Sequence, residues 1–109
     1  MSILKTFPDG RIGLIKIFGQ GVTVNTYPQK GGGFQPHINY PSTLGQLTDN
    51  QLNILEQYGL RARSSAYGND GGYTHIYFKG TSNVSSNIEA LSLMEALKPI
   101  ASALIHSSK

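Results

Sequence analysis

Aromatic and basic side chains alternate along two short segments of this 109-residue sequence. They are Arg61, Arg63 and Tyr67 in the first segment, and Tyr73, His75, Tyr77 and Lys79 in the second. Flat rings beside cations on a strand face form a stacking surface for unpaired bases, and the cations contact phosphates. These residues therefore predict a binding site for single-stranded nucleic acid, DNA or RNA, with little sequence preference.

The spacing of the two segments predicts a β-hairpin. Residues 68–72 read Gly-Asn-Asp-Gly-Gly, which is typical of a turn, and a five-residue loop places Tyr67 opposite Tyr73. The predicted pairing continues as Ser65 with His75, Arg63 with Tyr77, and Arg61 with Lys79. Because side chains alternate along a strand, all of these residues share one face, which we expect to be open. We expect the other face to pack against a helix; it carries Ala62, Ser64 and Ala66 against Thr74, Ile76 and Phe78.

Residues 72–78, Gly-Tyr-Thr-His-Ile-Tyr-Phe, resemble the sheet motif of the RNA-recognition motif family, Gly-Phe/Tyr-Gly/Ala-Phe-Val-x-Phe/Tyr. In this resemblance Tyr73 and His75 stand at the positions of the stacking rings. The sequence departs from the motif at Thr74 and His75, and no basic residue precedes Gly72. The predicted element order after Val22 also follows most of the family's order, without its final strand. The resemblance implies RNA binding on the sheet surface.

Residues 28–46 are rich in glycine and proline, show no hydrophobic period and therefore predict a long loop. Backbone N–H groups in such a loop can bind an anion, and Lys30 would add a phosphate contact. The glycine run at 31–33 lacks the Gly-Lys-Ser/Thr ending of a phosphate-binding P-loop. The alternative is a connector that Phe34 or Tyr40 anchors to the domain.

A protein-binding module is the second function class that the sequence leaves open. Only 14% of the residues are charged, whereas Tyr, Ser, Asn and Gly are abundant, and this composition suits a protein interface. An inhibitor, an adaptor or an assembly subunit, of the kind that viruses and mobile elements encode, would fit. The hairpin tyrosines would then pack beneath the N-terminal strands or at a subunit contact.

A small metal-independent ribonuclease is a third alternative. His37 and His75 would act as acid and base, with a nearby Lys or Arg stabilising the developing charge. This requires residues 28–46 to fold back onto the hairpin. The histidines at 37, 75 and 106 lack metal-ligand spacing, and the six acidic residues are scattered. We therefore predict no enzymatic activity, no catalytic residue, no metal and no cofactor.

The elements that must position these residues form one α+β domain, residues 1–109. Residues 1–27 predict a β-meander, and Thr48 with Gln51 forms a capping box that starts a helix within residues 47–60. A second helix is expected at residues 86–107, kinked or split by Pro99 near Lys98. The order is β-β-β-loop-α-β-β-α, which predicts a mostly antiparallel sheet with two helices packed on one face.

The C-terminal helix also predicts a homodimer. Its apolar residues form two stripes, and a single stripe is enough to cover a sheet. The stripe expected to bind a second copy consists of Leu93, Leu97, Ile100 and Leu104.

Composition limits the remaining classes of protein. There is no cysteine, so disulfides, thiolate metal sites and thiol catalysis are excluded. The net charge of +3 suits an anionic partner. No secretory leader and no apolar run long enough to span a membrane is evident, so we expect a cytoplasmic protein with no membrane partner.

Overall fold

The computed structural model describes residues 2–6, 12–17, 19–28, 33–65, 72–79 and 84–107. The strands are β1 (Ser2–Thr6), β2 (Ile12–Ile17), β3 (Thr23–Pro28), β4 (Phe34–Pro41), β5 (Leu60–Ser65) and β6 (Tyr73–Phe78). The helices are α1 (Asp49–Gln57) and α2 (Asn87–His106), and short 3-10 turns lie at Gly19–Gly21 and Ser42–Leu44. The predicted α+β class is confirmed.

The six strands form one antiparallel sheet in the order β1-β2-β3-β4-β6-β5. Strand β6 lies between β4 and β5, so β4, α1 and β5 make a split β-α-β unit. Helix α2 packs over β3 and β4, α1 packs over β5, and the two helices contact each other. Both helices lie on one side, and the opposite side is called the helix-free face below.

The predicted loop at residues 28–46 is wrong in its central part, because Phe34–Pro41 is strand β4. This strand pairs with β3 and β6 inside the sheet. Pro36 pairs with Thr26 of β3. On the β6 side of β4 the pairing begins only at Ile38, so the N–H that Pro36 lacks interrupts no hydrogen bond to β6. On the same side Phe34 exchanges two backbone hydrogen bonds with Val84, at 2.6 and 2.8 Å.

Local capping signals determine the bounds of α1, as predicted. The N–H of Gln51 donates to Thr48 Oγ1, and the N–H of Thr48 donates to Gln51 Oε1 at 2.8 Å. At the other end Gly59 has a φ of 70°, which favours glycine, and its N–H donates to Glu56 O.

Helix α2 is a single element, so of the two outcomes predicted at Pro99, a kink or a split, the split is wrong. Its start is capped by Ser86, whose Oγ accepts from the N–H of Glu89. The predicted dimer stripe is not available on the surface, because it faces the core within this chain: Leu97, Ile100 and Leu104 are buried, and Leu93 is half-buried. The large apolar side chains that α2 exposes are Ile88 and Leu91. Homodimerisation itself remains a prediction.

The hairpin is confirmed, with a register two residues away from the predicted one. Tyr73 pairs with Ser65 and not with Tyr67, and the following pairs are Arg63 with His75 and Arg61 with Tyr77. A slip of two residues preserves every side-chain direction, because strand side chains repeat every second residue. The predicted division of the hairpin into an open face and a helix-covered face therefore survives.

The core lies between the sheet and the helices. Its buried apolar residues include Val22, Val24, Ile38, Tyr40, Leu55, Leu60, Ile76, Met94, Leu97 and Leu104. None of the helices in the described part of the chain is long and apolar enough to cross a membrane.

Candidate nucleic-acid interface

A row of four residues crosses the helix-free face from β3 to β5. Thr23 pairs with Asn39, Asn39 pairs with His75, and His75 pairs with Arg63. Opposed residues of adjacent strands point to the same face, so these side chains are neighbours. The row places a guanidinium, an imidazole and an amide side by side across three strands.

The β5–β6 half of this face is open. Arg61 and Arg63 are exposed, and Tyr73, His75 and Tyr77 are half-buried. We call these five residues the open half. Within the described residues no carboxylate forms an ion pair with either arginine.

The β3–β4 half of the same face is closed. Asn25, which pairs with His37, is 1% exposed, and His37 itself is 5% exposed. Asn39, at the boundary with the open half, is half-buried. The helix-free face is therefore not a uniform platform, because surface for a ligand lies on β5 and β6.

His37 and His75 link the two halves as a stacked pair. Their ring centroids lie 5.0 Å apart, and the ring planes differ by 18°. The His37 Nδ1–H donates to Gln35 O at 2.8 Å, which leaves the proton-accepting lone pair on Nε2. Burial, with a smaller contribution from the charge of His75, lowers the pKa of His37 to about 4 against the opposing effect of this hydrogen bond.

The pKa of His75 is also lowered, first by burial and then by the positive charge of Arg63. Both imidazoles are consequently neutral at pH 7. The open half thus combines neutral aromatic rings with the two guanidinium charges, which is the composition of a base-stacking surface bordered by phosphate contacts.

Of the remaining predicted binding residues, Lys79 is described and points away from the open half. Lys79 Nζ lies 3.4 Å from Glu56 Oε2 of α1, which packs on the other side of the sheet. Tyr67 and Lys30 lie outside the described residues. Sequence reasoning missed Asn25 and Asn39, although Gln35, His37 and Asn39 alternate with apolar residues as strand side chains do.

The pairing of β4 with β6 brings His37 and His75 together, as the ribonuclease alternative requires. However, His37 Nδ1 is bonded to Gln35 O, and Nε2 is buried. Neither nitrogen of His37 reaches the surface where a phosphodiester would lie. No group of three or more His, Asp or Glu side chains suited to a metal occurs among the described residues. His37 therefore does not present an accessible nitrogen beside His75.

No protein-family model matches this chain, and searches of curated proteins and of solved structures found no match either.

Proposed function

We propose that this protein binds single-stranded nucleic acid through the open half of the helix-free face. The observation that carries the proposal is the position of the neutral His75 ring, which pairs with exposed Arg63 and lies between Tyr73 and Tyr77 along β6. Rings that project from one strand at a two-residue spacing suit successive bases, and an adjacent guanidinium suits the backbone.

The charge distribution supports the same proposal. The described acidic residues all belong to the two helices: Asp49, Glu56, Glu89 and Glu95. Arg61 and Arg63 lie on the helix-free face, so an anionic backbone would meet two cations and none of these carboxylates. The resemblance of residues 72–78 to the RNA-recognition motif adds support, because Tyr73 and His75 project from β6 on the side away from the helices.

The test is fluorescence polarisation with labelled single-stranded DNA and RNA oligomers over a salt series. Two arginine–phosphate contacts predict a log–log salt slope of about −1.4 for a single strand. Tyr73→Ala should weaken binding by roughly 1–3 kcal/mol and leave the slope unchanged, since it removes stacking. Arg63→Ala should flatten the slope by about 0.7, since it removes one phosphate contact.

Two matched controls separate this site from general surface effects. Tyr58→Ala removes an exposed tyrosine at the end of α1, and Lys98→Ala removes a cation that pairs with Glu95 on α2. Both variants should bind as the unmodified protein does. The proposal is wrong if the unmodified protein shows no binding at low salt, or if Tyr58→Ala weakens binding as much as Tyr73→Ala.

A further inference from the structure

Strand β5 forms one edge of the sheet, and its middle is exposed. The strand has β6 on one side and no described strand on the other. Arg61, Ala62 and Arg63 are all exposed. An edge strand of this kind presents backbone donors and acceptors to any extended chain that approaches it.

The hydrogen-bond pattern shows which backbone groups face outward. The N–H of Lys79 donates to Gly59 O, so the 59–79 pair is a hydrogen-bonded pair of the β5–β6 ladder. Bonded pairs alternate in antiparallel sheets, so Arg61 and Arg63 bond to β6. The N–H and C=O of Ala62 therefore point away from β6, and within the described residues no backbone group bonds to them.

The two sides of this edge differ in chemistry. On the helix side Ala62 borders a groove of about 260 Å³, which Gln46 and Thr74 line together with Leu47 and Leu52, and the Leu52 side chain is 46% exposed. On the helix-free side Arg61 and Arg63 flank Ala62. An added strand would thus place alternate side chains beside the two leucines of this mixed groove and beside two guanidinium groups.

We propose that the β5 edge binds an extended acidic segment of a partner protein by strand addition. In an antiparallel addition the residue opposite Ala62 points to the groove, and its two neighbours lie opposite Arg61 and Arg63. The preferred segment therefore reads acidic–apolar–acidic. A second copy is a poor occupant, because antiparallel pairing of two β5 strands about Ala62 sets Arg61 against Arg63 of the other copy.

Strand addition depends mainly on the backbone N–H and C=O of Ala62. The proposed nucleic-acid site does not use these groups, so the two proposals can be tested separately. The probe is a blocked peptide, Ser-Thr-Glu-Val-Glu-Thr-Ser, titrated into isotope-labelled protein and followed by NMR with amide hydrogen exchange. The Ala62 amide should gain protection from exchange on binding. The Arg63 amide, which already faces β6, should change little and is an internal control.

Ala62→Pro is the decisive variant. Proline removes the outward N–H without removing a bond to β6, and edge strands tolerate it. It should weaken peptide binding by about tenfold or more, whereas Ala62→Thr, which keeps the N–H, should bind within about threefold of the unmodified protein. Neither change should alter binding of labelled single-stranded oligomers, if those bind.

A charge exchange keeps the test decisive if Ala62→Pro fails to fold. In the double variant Arg61→Glu with Arg63→Glu, the acidic peptide should lose binding, and its counterpart with lysine in place of both glutamates should gain it. The proposal is overturned if the acidic peptide gives no saturable shifts at millimolar concentration. It is also overturned if folded Ala62→Pro binds like Ala62→Thr, or if the charge exchange has no effect on peptide choice.

Discussion

Buried side-chain amides are hydrogen-bonded to a different extent on the two sides of the sheet. On the helix-covered side Gln51 is 0% exposed, yet every part of its amide is bonded. Its Nε2 donates to Tyr40 Oη at 3.1 Å and to Leu104 O at 2.9 Å, and its Oε1 accepts from the N–H of Thr48. One side chain thus joins α1, α2 and β4.

On the helix-free side the amides of Asn25 and Asn39 have fewer hydrogen bonds. Asn25 Nδ2 donates to Thr23 Oγ1 at 2.8 Å, but the Oδ1 atoms of both asparagines are buried and have no hydrogen-bond partner among the described residues. Rotating either amide by 180° would exchange its oxygen and its nitrogen, and one of the two atoms would still lack a partner. Thr26 Oγ1 is a similar buried atom on the helix-covered side of β3.

Buried polar groups are normally hydrogen-bonded. A fully bonded group stabilises the fold, whereas a buried group with an unbonded atom has no explanation in the stability of the fold alone. Gln51 belongs to the first kind. Asn25 and Asn39 belong to the second kind, and they lie on the side of the sheet that carries the proposed binding surface.

The largest effect is expected from Gln51→Ala. This change leaves Tyr40 Oη, Leu104 O and the N–H of Thr48 without their partner and opens a cavity, so we expect a loss of roughly 3–4 kcal/mol in the free energy of unfolding. Urea unfolding followed by circular dichroism measures it. Gln57→Ala, at an exposed position of the same helix, should cost less than about 0.5 kcal/mol. A loss below about 1 kcal/mol for Gln51→Ala would remove the structural role assigned to it.

An effect nearly as large is expected from pH at the closed half. His37 has a pKa of about 4 in the fold against an ordinary 6.5, so the unfolded chain binds the proton more readily. Stability is therefore complete above pH 6.5 and falls as the pH drops toward 4, by about 3 kcal/mol from this group. The lowered pKa of His75 acts in the same direction.

His37→Phe isolates this contribution, because the carboxyl groups titrate alike in both proteins. Between pH 7.5 and pH 4 the unfolding free energy of the unmodified protein should fall by about 3 kcal/mol more than that of the variant, since the variant no longer has the His37 proton to exclude. Parallel profiles across this range would show that His37 is not held neutral by burial.

The smallest effect is expected from Asn25→Leu, and it sharpens the comparison most directly. The change removes one hydrogen bond and also the polar end that has no described partner, and it keeps the number and branching of the side-chain heavy atoms. Unfolding free energy should move by less than about 1 kcal/mol in either direction, because the lost bond and the removed desolvation cost offset each other. If Asn25→Leu costs as much as Gln51→Ala, the two sides of the sheet do not differ as described. Asn53→Leu, at an exposed position of α1, is the surface control.

The hairpin shows how a pattern can predict a surface without predicting a register. The alternation of Tyr73, His75 and Tyr77 with Ile76 and its neighbours assigned both faces correctly, since strand side chains repeat every second residue. The turn length decides the register, and a glycine-rich turn sequence such as Gly-Asn-Asp-Gly-Gly does not by itself fix that length. Because of this error of two residues, the predicted partner of His75 is Ser65, whereas the actual partner is Arg63. The difference is important because the positive charge of Arg63 contributes to the lowered pKa of His75.

Strand β4 could not be predicted from local signals, because Pro36 and Pro41 argue against an interior strand. Its alternation of apolar Phe34, Ile38 and Tyr40 with Gln35, His37 and Asn39 was present but competed with these prolines. Pairing with other segments makes the strand compatible with these prolines. Strand β6 pairs only with the part of β4 from Ile38 onward, and Val84 forms backbone hydrogen bonds with Phe34.

The sequence by itself determined the α+β class, the starts of both helices and the two faces of the hairpin. These features rest on contacts within a few residues, such as Thr48 with Gln51 and Ser86 with Glu89, so the local chain carries the information. Only the tertiary structure decided that His37 stacks on His75, that Gln51 joins three elements and that Lys79 turns to Glu56. Each depends on partners at least 11 residues away in the chain, whose proximity follows from the sheet order and not from any local preference.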